Sequence, residues 1–283
     1  MSLIDSLTIS NNIDSLVTQA STNAESDWIM HHVMDGNYLD FSPFGKIYLP
    51  QIELFGLDIS ITRHVVFMWL GAFLLSLVFI NVAKSYKKSL VPKGATNFWE
   101  VFIIFVRDEI ARPTIGKGYE SFLPYLLTAF FFIMFGNFLG LIPFSATFTS
   151  NIAVTTVLAV FSFLVIQAGG IKHNGFFGYF KGLVPHGVPV FLLPIMAIVE
   201  FLGLLAKPFA LAIRLFANLT AGHIVIYALI SLIFVMQSAY WSGLAIPMAL
   251  FIYGLEILVA LLQAYIFTML SSLFIGMAVH QDH

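Results

Sequence analysis

Cysteine is absent from the 283 residues, and charge is scarce: Asp, Glu, Lys and Arg together make up 10% of the chain. An ordinary soluble domain carries about 25% charged residues and about 45–50% apolar ones. This chain is 59% hydrophobic with a mean hydropathy of +0.92. The missing charge excludes a soluble surface of normal make-up, and the apolar content excludes disorder. The missing cysteine excludes a disulfide scaffold but does not fix a redox compartment. A net charge of −2 supplies no basic footprint for a nucleic acid, so no such partner is expected. What is left is an all-α integral membrane protein embedded in a lipid bilayer.

The few charges are unevenly placed. Asp5, Asp14, Glu25, Asp27, Asp35, Asp40, Glu53 and Asp58 precede residue 60, where Lys46 is the sole Lys or Arg. No Asp, Glu, Lys or Arg lies between Glu120 and Lys172, and from Gly182 to Val279 only Glu200, Lys207, Arg214 and Glu256 occur. The profile predicts an acidic polar arm over 1–60 and a membrane domain over 61–283. Residues 1–24, rich in Ser, Thr and Asn, place Leu3, Ile4, Leu7, Leu16 and Val17 at near-helical spacing. A short surface helix and disorder are both open there.

Residues 64–83 give about 20 residues of apolar helix, or about 30 Å, one bilayer core. The run lies too far from Met1, with no basic segment before it, to be a secretory signal. Lys84, Lys87, Lys88 and Lys93 follow directly. Because Lys and Arg accumulate on cytoplasmic loops, they predict that end inside and the arm outside. Over 96–112, capped by Thr96, the residues Phe98, Val101, Phe102, Phe105 and Val106 share one stripe. Glu100, Arg107 and Asp108 interrupt it, which predicts an amphipathic helix lying in the interface. Spans are expected at 122–143 and 151–169, joined outside by an uncharged turn; Lys172, His173 and Lys181 then mark a second inside loop. Two further apolar stretches cover 190–236 and 244–279. Five crossings put the N-terminus outside and the C-terminus in the cytoplasm. Without a targeting segment the expected site is a bacterial inner membrane, an organelle-encoded chain being left open.

The last two stretches are too long for one crossing each. As continuous helix they measure about 70 Å and about 54 Å against a core of about 30 Å. They either break, at Pro194 or Pro208, or lie steeply tilted as a hairpin. No turn signal follows Pro208, which favours the tilted pair.

Charge at membrane depth needs a reason, because an Arg or Lys at a helix centre costs about 2.5–3.5 kcal/mol on the insertion scale. Arg214 is the sharpest case: the next charged residue after it is Glu256. It either snorkels to the interface or, on a tilted helix, stays deep and meets a carboxylate of another chain. Glu200, Lys207 and Arg214 recur every seven residues, a stripe drifting by about 20° per step. Asn218 lies one turn past Arg214, whereas His223 lies about 180° around from it. On the facing stretch Glu256 and Gln263 are again seven apart. With the turn near residue 240, His223 and Glu256 are nearly equidistant from it and can meet across the hairpin. Such a pair is either a structural bond pinning two helices or a proton relay, since imidazole titrates near neutrality.

Three runs carry a family resemblance: LLAKPFALAIRLFANLTAGH, LVALLQAYIFTMLSSLFIGMA and GNFLGLIPFSATFTSNIAVT. Together they resemble subunit a of the F-type ATP synthase, over roughly residues 60–283. The resemblance implies the stator of a rotary proton turbine, five transmembrane helices with the last two nearly horizontal against a ring of c subunits. It also implies contact with the peripheral-stalk subunit b and other synthase subunits. It assigns Arg214 the essential arginine facing the ring carboxylate. Asn218, His223, Glu256 and Gln263 match an outer half-channel, and Glu200 and Lys207 a cytoplasmic one. In the enteric-bacterial pattern the acid and the imidazole of the His223/Glu256 pair are exchanged; this chain follows the mitochondrial arrangement. No cofactor or metal is implied, and the chain is not expected to be an enzyme on its own. A secondary transporter pairing Arg214 with Glu256 is disfavoured by the odd span count and the lack of a repeat. An intramembrane enzyme is disfavoured because no H-E-x-x-H occurs.

Overall fold

The computed structural model describes residues 36, 38–40, 45–50, 53–54, 57–58, 60–88, 94–142, 145, 147–182, 191, 193–235, 240 and 242–280. The expected surface helix within 1–24 lies outside them. Four short strands come first: β1 (Tyr38–Asp40) pairs antiparallel with β2 (Lys46–Tyr48), and β3 (Glu53–Leu54) with β4 (Leu57–Asp58). They are too short to carry a core. The rest is helical: α1 (Arg63–Lys88), α2 (Ala95–Phe105), α3 (Arg112–Ile115), α4 (Leu123–Gly140), α5 (Ile152–Asn174), α6 (Phe176–Gly182), α7 (Leu193–Val235) and α8 (Ser242–Val279). Five of these, α1, α4, α5, α7 and α8, are long and apolar enough to cross a membrane.

Helices suit this environment because every backbone N–H and C=O bonds within the segment, and lipid offers none a partner. In α1 the exposed residues Trp69, Phe73, Leu77 and Ile80 recur at helical spacing. That stripe would be costly in water and costs nothing against acyl chains. Within α7 and α8, Pro208 and Pro247 sit inside unbroken helices of 43 and 38 residues. Their lengths, about 65 and about 57 Å, exceed a bilayer core roughly twofold. Pro194 falls in the first turn of α7, where a missing N–H leaves no bond unmade.

The segment after α1 departs from expectation in detail. α2 begins at Ala95 after Gly94, whose φ is 60°, and no side chain caps it. Thr96 is therefore a buried first-turn residue rather than the cap. The expected stripe splits: Phe98 and Val101 are exposed, whereas Val106 is fully buried. Residues Val106–Ala111 form a π-helical stretch between α2 and α3. Pro113, in the first turn of α3, cannot donate into the preceding ladder, so the register shift falls just before it. Arg107 closes on Asp108 through two bonds, Nε to Oδ1 at 2.9 Å and Nη2 to Oδ2 at 2.8 Å. The bond from Arg107 holds the Asp108 carboxyl below its usual range.

α8 forms the axis of the core. Its buried face includes Ala245, Ala260, Ala264, Ser271, Ser272, Gly276 and Ala278, small residues that let helices approach closely. α4 fills the other side with Leu126, Phe130, Ile133 and Met134. Aromatic rings tie α1 and α2 to α4: Phe79 and Phe131 have centroids 4.5 Å apart, and Trp99 stacks on Phe135 at 5.5 Å. Buried polar groups are paired across the seams. Asn137 on α4 donates to the Ala260 carbonyl at 3.1 Å and accepts from Thr149 at 2.7 Å. Ser162 and Ser271 join α5 to α8 at 2.9 Å. At one end Tyr253 donates to the Leu141 carbonyl at 2.8 Å; at the other Asn174 donates to the Ala278 carbonyl at 2.9 Å. These two bonds run α8 along the full bundle, from the α4–α5 connection to the end of α5.

Candidate functional site

His223 and Glu256 meet across the α7–α8 hairpin. Nδ1 of His223 stands 3.2 Å from Oε1 of Glu256, whose side chain is 3% exposed. The carboxylate fits because residue 222 is glycine: an added Cβ would lie 2.6 Å from Oε1. On its other edge, Nε2 of His223 is 2.9 Å from the hydroxyl of Thr147. Thr147, buried in the α4–α5 connection, reaches that position because Gly140 has no side chain to occupy it. The imidazole thus has one nitrogen toward a carboxylate and the other toward a hydroxyl, so a proton taken up on one edge can leave from the other. The approach of His223 to Oε1 is an ion-pair contact, and neither Glu256 oxygen makes a hydrogen bond among the described residues.

Arg214 lies on the opposite side of α7 and is exposed, while the adjacent Leu215 and Leu219 are buried. Among the described residues no acid stands within ion-pair distance of it. Its backbone is held: Gln263, buried on α8, donates from Nε2 to the Arg214 carbonyl at 2.7 Å. Gln263 therefore acts on α7 directly and fixes where Arg214 projects. Asn218 is exposed one turn further along the same face. Of the four residues expected together, the structure pairs His223 with Glu256, sets Gln263 beneath Arg214, and leaves Asn218 on the outer face.

Glu200 and Lys207 line a cavity of about 300 Å³ at the far end, together with Gln167, Tyr179, Phe274 and His280. Lys207 Nζ stands 5.1 Å from the Phe274 ring centroid, a cation over an aromatic face. From Glu256 to Phe274 is 18 residues along α8, about 27 Å. The two polar regions are thus displaced along the bundle, and Arg214 sits between Lys207 and His223 in sequence.

Thr147, Gly140, Gly222, Gln167, Tyr179 and His280 were not singled out from the sequence. The FSATFTSN run gave no sign that its first threonine, Thr147, would turn inward. Gly222 carried a signal, standing beside His223 on a helix otherwise poor in glycine.

A membrane bundle with five span-length helices, a His–Glu pair and an arginine with no acid in ion-pair reach among the described residues is the class that fold and site define. Comparison with known proteins places it further. The ATP synthase A chain family profile matches residues 65–276. ATP synthase subunit a of Chloroherpeton thalassium is 54% identical over 258 residues, covering 90% of this chain and 77% of that one. ATP synthase subunit a 2 of Chlorobaculum tepidum is 50% identical over 261 residues, 90% of this chain and 74% of that one. ATP synthase subunit a of Chlorobium phaeobacteroides is 50% identical over 262 residues, 91% and 77% of the two chains. The chain belongs to this family, subunit a of the F-type ATP synthase.

Proposed function

We propose that this chain is the proton-translocating stator of the synthase membrane sector, holding two offset half-channels beside a ring of c subunits. The observation that supports the reading most is Arg214, a guanidinium on an outward helix face with no acid of its own chain within ion-pair distance among the described residues. At membrane depth such a charge needs a negative partner, and a ring carboxylate is one. A carboxylate on a rotating ring faces lipid only when neutral. Opposite Arg214 it is stable when ionised, so it gives up its proton to one half-channel and takes another from the second before returning to lipid. Asn218, His223, Glu256 and Gln263 serve the outer half-channel; Glu200 and Lys207 serve the cytoplasmic one. The positive charge of Arg214 opposes direct leakage between them. Each charge moved gains about 2.3 kcal/mol per 100 mV of membrane potential.

The steep tilt of α7 and α8 that their length demands lays a broad side against the ring. The arm over 1–60 faces outside, residues 61–283 form the membrane domain, and the C-terminus faces the cytoplasm of a bacterial inner membrane. Subunit b of the peripheral stalk is a further partner. The chain itself makes no covalent bond, and ATP forms elsewhere in the assembly. The test is Arg214→Ala in the intact complex, measured in inverted vesicles. ATP-driven acidification is expected to vanish with assembly retained; normal pumping would remove Arg214 from the mechanism.

A further inference from the structure

Two recesses lie along α7 and share one wall. The first, of about 300 Å³, contains Glu200, Gln167, Tyr179 and His280. The second, of about 270 Å³, runs past Gly203, Ala206 and Ala210 to Arg214. Lys207 and Phe274 line both, and the Lys207 ammonium sits over the Phe274 ring. The wall between the recess of Arg214 and the recess of Glu200 is thus made by one cation and the aromatic face under it. The recess of Arg214 is open at Gly203, where a Cβ would meet nothing within 4 Å.

We propose that Lys207, seated on Phe274, is an electrostatic gate on the cytoplasmic side of the proton path, with Phe274 as its positioning residue. The inference rests on the half-channel reading above and adds to it a site of rate control. The charge of the ammonium raises the energy of an excess proton beside it. Its seat on the ring keeps it at the wall rather than drawn toward Glu200, two turns away along α7. Passage is therefore set by how firmly the ring holds the ammonium in the path. Lys207 differs in this from Arg214, whose role requires a carboxylate from another chain.

The test uses the intact complex in inverted vesicles with the catalytic head stripped, an imposed potassium diffusion potential, and proton flux read by a pH dye. Lys207→Gln removes the charge and is expected to raise passive flux about threefold, the scale of one cation–aromatic contact. Phe274→Leu, which keeps apolar bulk but removes the ring face, is expected to raise it by a similar factor. The double variant should do no more than the larger single one, because both act on one gate. Lys207→Arg, which keeps a cation that an aromatic face accepts, should lie closer to the parent than Lys207→Gln. Unchanged flux in either single variant, or factors that multiply in the double variant, overturns the gate. Subunit stoichiometry is read on each preparation, and Phe274→Met replaces Phe274→Leu where assembly falls. Arg214→Ala, run in parallel with the head attached, separates the two readings. Lost acidification there with unchanged Lys207 flux rejects the gate alone, whereas retained acidification rejects the half-channel reading itself.

Discussion

The α4–α8 seam and the outward face of α7 both carry polar residues in a membrane bundle, and they treat them oppositely. In the seam, Asn137 uses both ends of its amide, one of them on the buried Thr149 hydroxyl. On the outward face Arg214 and Asn218 stand exposed, and no acid among the described residues lies within ion-pair distance of Arg214. A group satisfied inside the chain fixes the fold, since leaving it unpaired costs about 1–3 kcal/mol. A group left open at comparable cost is held for something outside the chain. Gln263 joins the two regions, a seam residue whose bond ends on the Arg214 carbonyl.

That contrast orders the expected effects. Arg214→Ala should abolish proton-driven synthesis while assembled complex is recovered at near parental yield. Asn137→Leu should do the reverse: it takes the acceptor from the buried Thr149 hydroxyl and removes the second bond to the Ala260 carbonyl, which keeps its helical one, so thermal stability and yield fall by the equivalent of about 1–3 kcal/mol. The complexes that survive should still couple. Loss of coupling at full yield in Asn137→Leu would erase the distinction between the regions. Glu256→Gln and His223→Ala should slow transport and move its pH optimum without uncoupling; unchanged rate and profile in both would make the pair structural. Gly222→Ala, which brings a Cβ against the Glu256 carboxylate, should slow transport in the same direction but less, as read by initial rates of acidification. Asp108→Asn should change least. The bond from Arg107 depresses the Asp108 pKa in the folded chain, so any stability it adds is present above the unfolded value and lost as pH falls through the folded one. The pair is only partly buried and screened, so thermal stability near neutral pH should not move.

Most of the architecture was legible because lipid imposes length. Five long apolar runs become five helices, and the excess length of 190–236 and 244–279 reappears as the unbroken α7 and α8. The meeting of His223 with Glu256 was legible too, because antiparallel helices pair residues equidistant from their turn. Thr147 was not, since its position depends on how the α4–α5 connection folds over Gly140, and no period governs a loop. The bond from Gln263 was not legible, because it runs to a backbone carbonyl, a partner that every residue has and no sequence marks. The π-helical register before Pro113 and the split stripe of α2 arise from packing against α4 and α8, which overrides the single-face pattern of an isolated helix. The partition of Lys207 and Phe274 joins residues 67 positions apart on two helices, and only the shared wall of two recesses reveals it.

The most direct test is a density map of the intact assembly in a membrane mimic, measuring from the Arg214 guanidinium to the nearest carboxylate. The account predicts an acid of a neighbouring ring subunit within about 6 Å, close enough to hold it ionised, and no acid of this chain nearer. Arg214 surrounded by bulk water, or closed on Glu200 or Glu256 of its own chain, would contradict it.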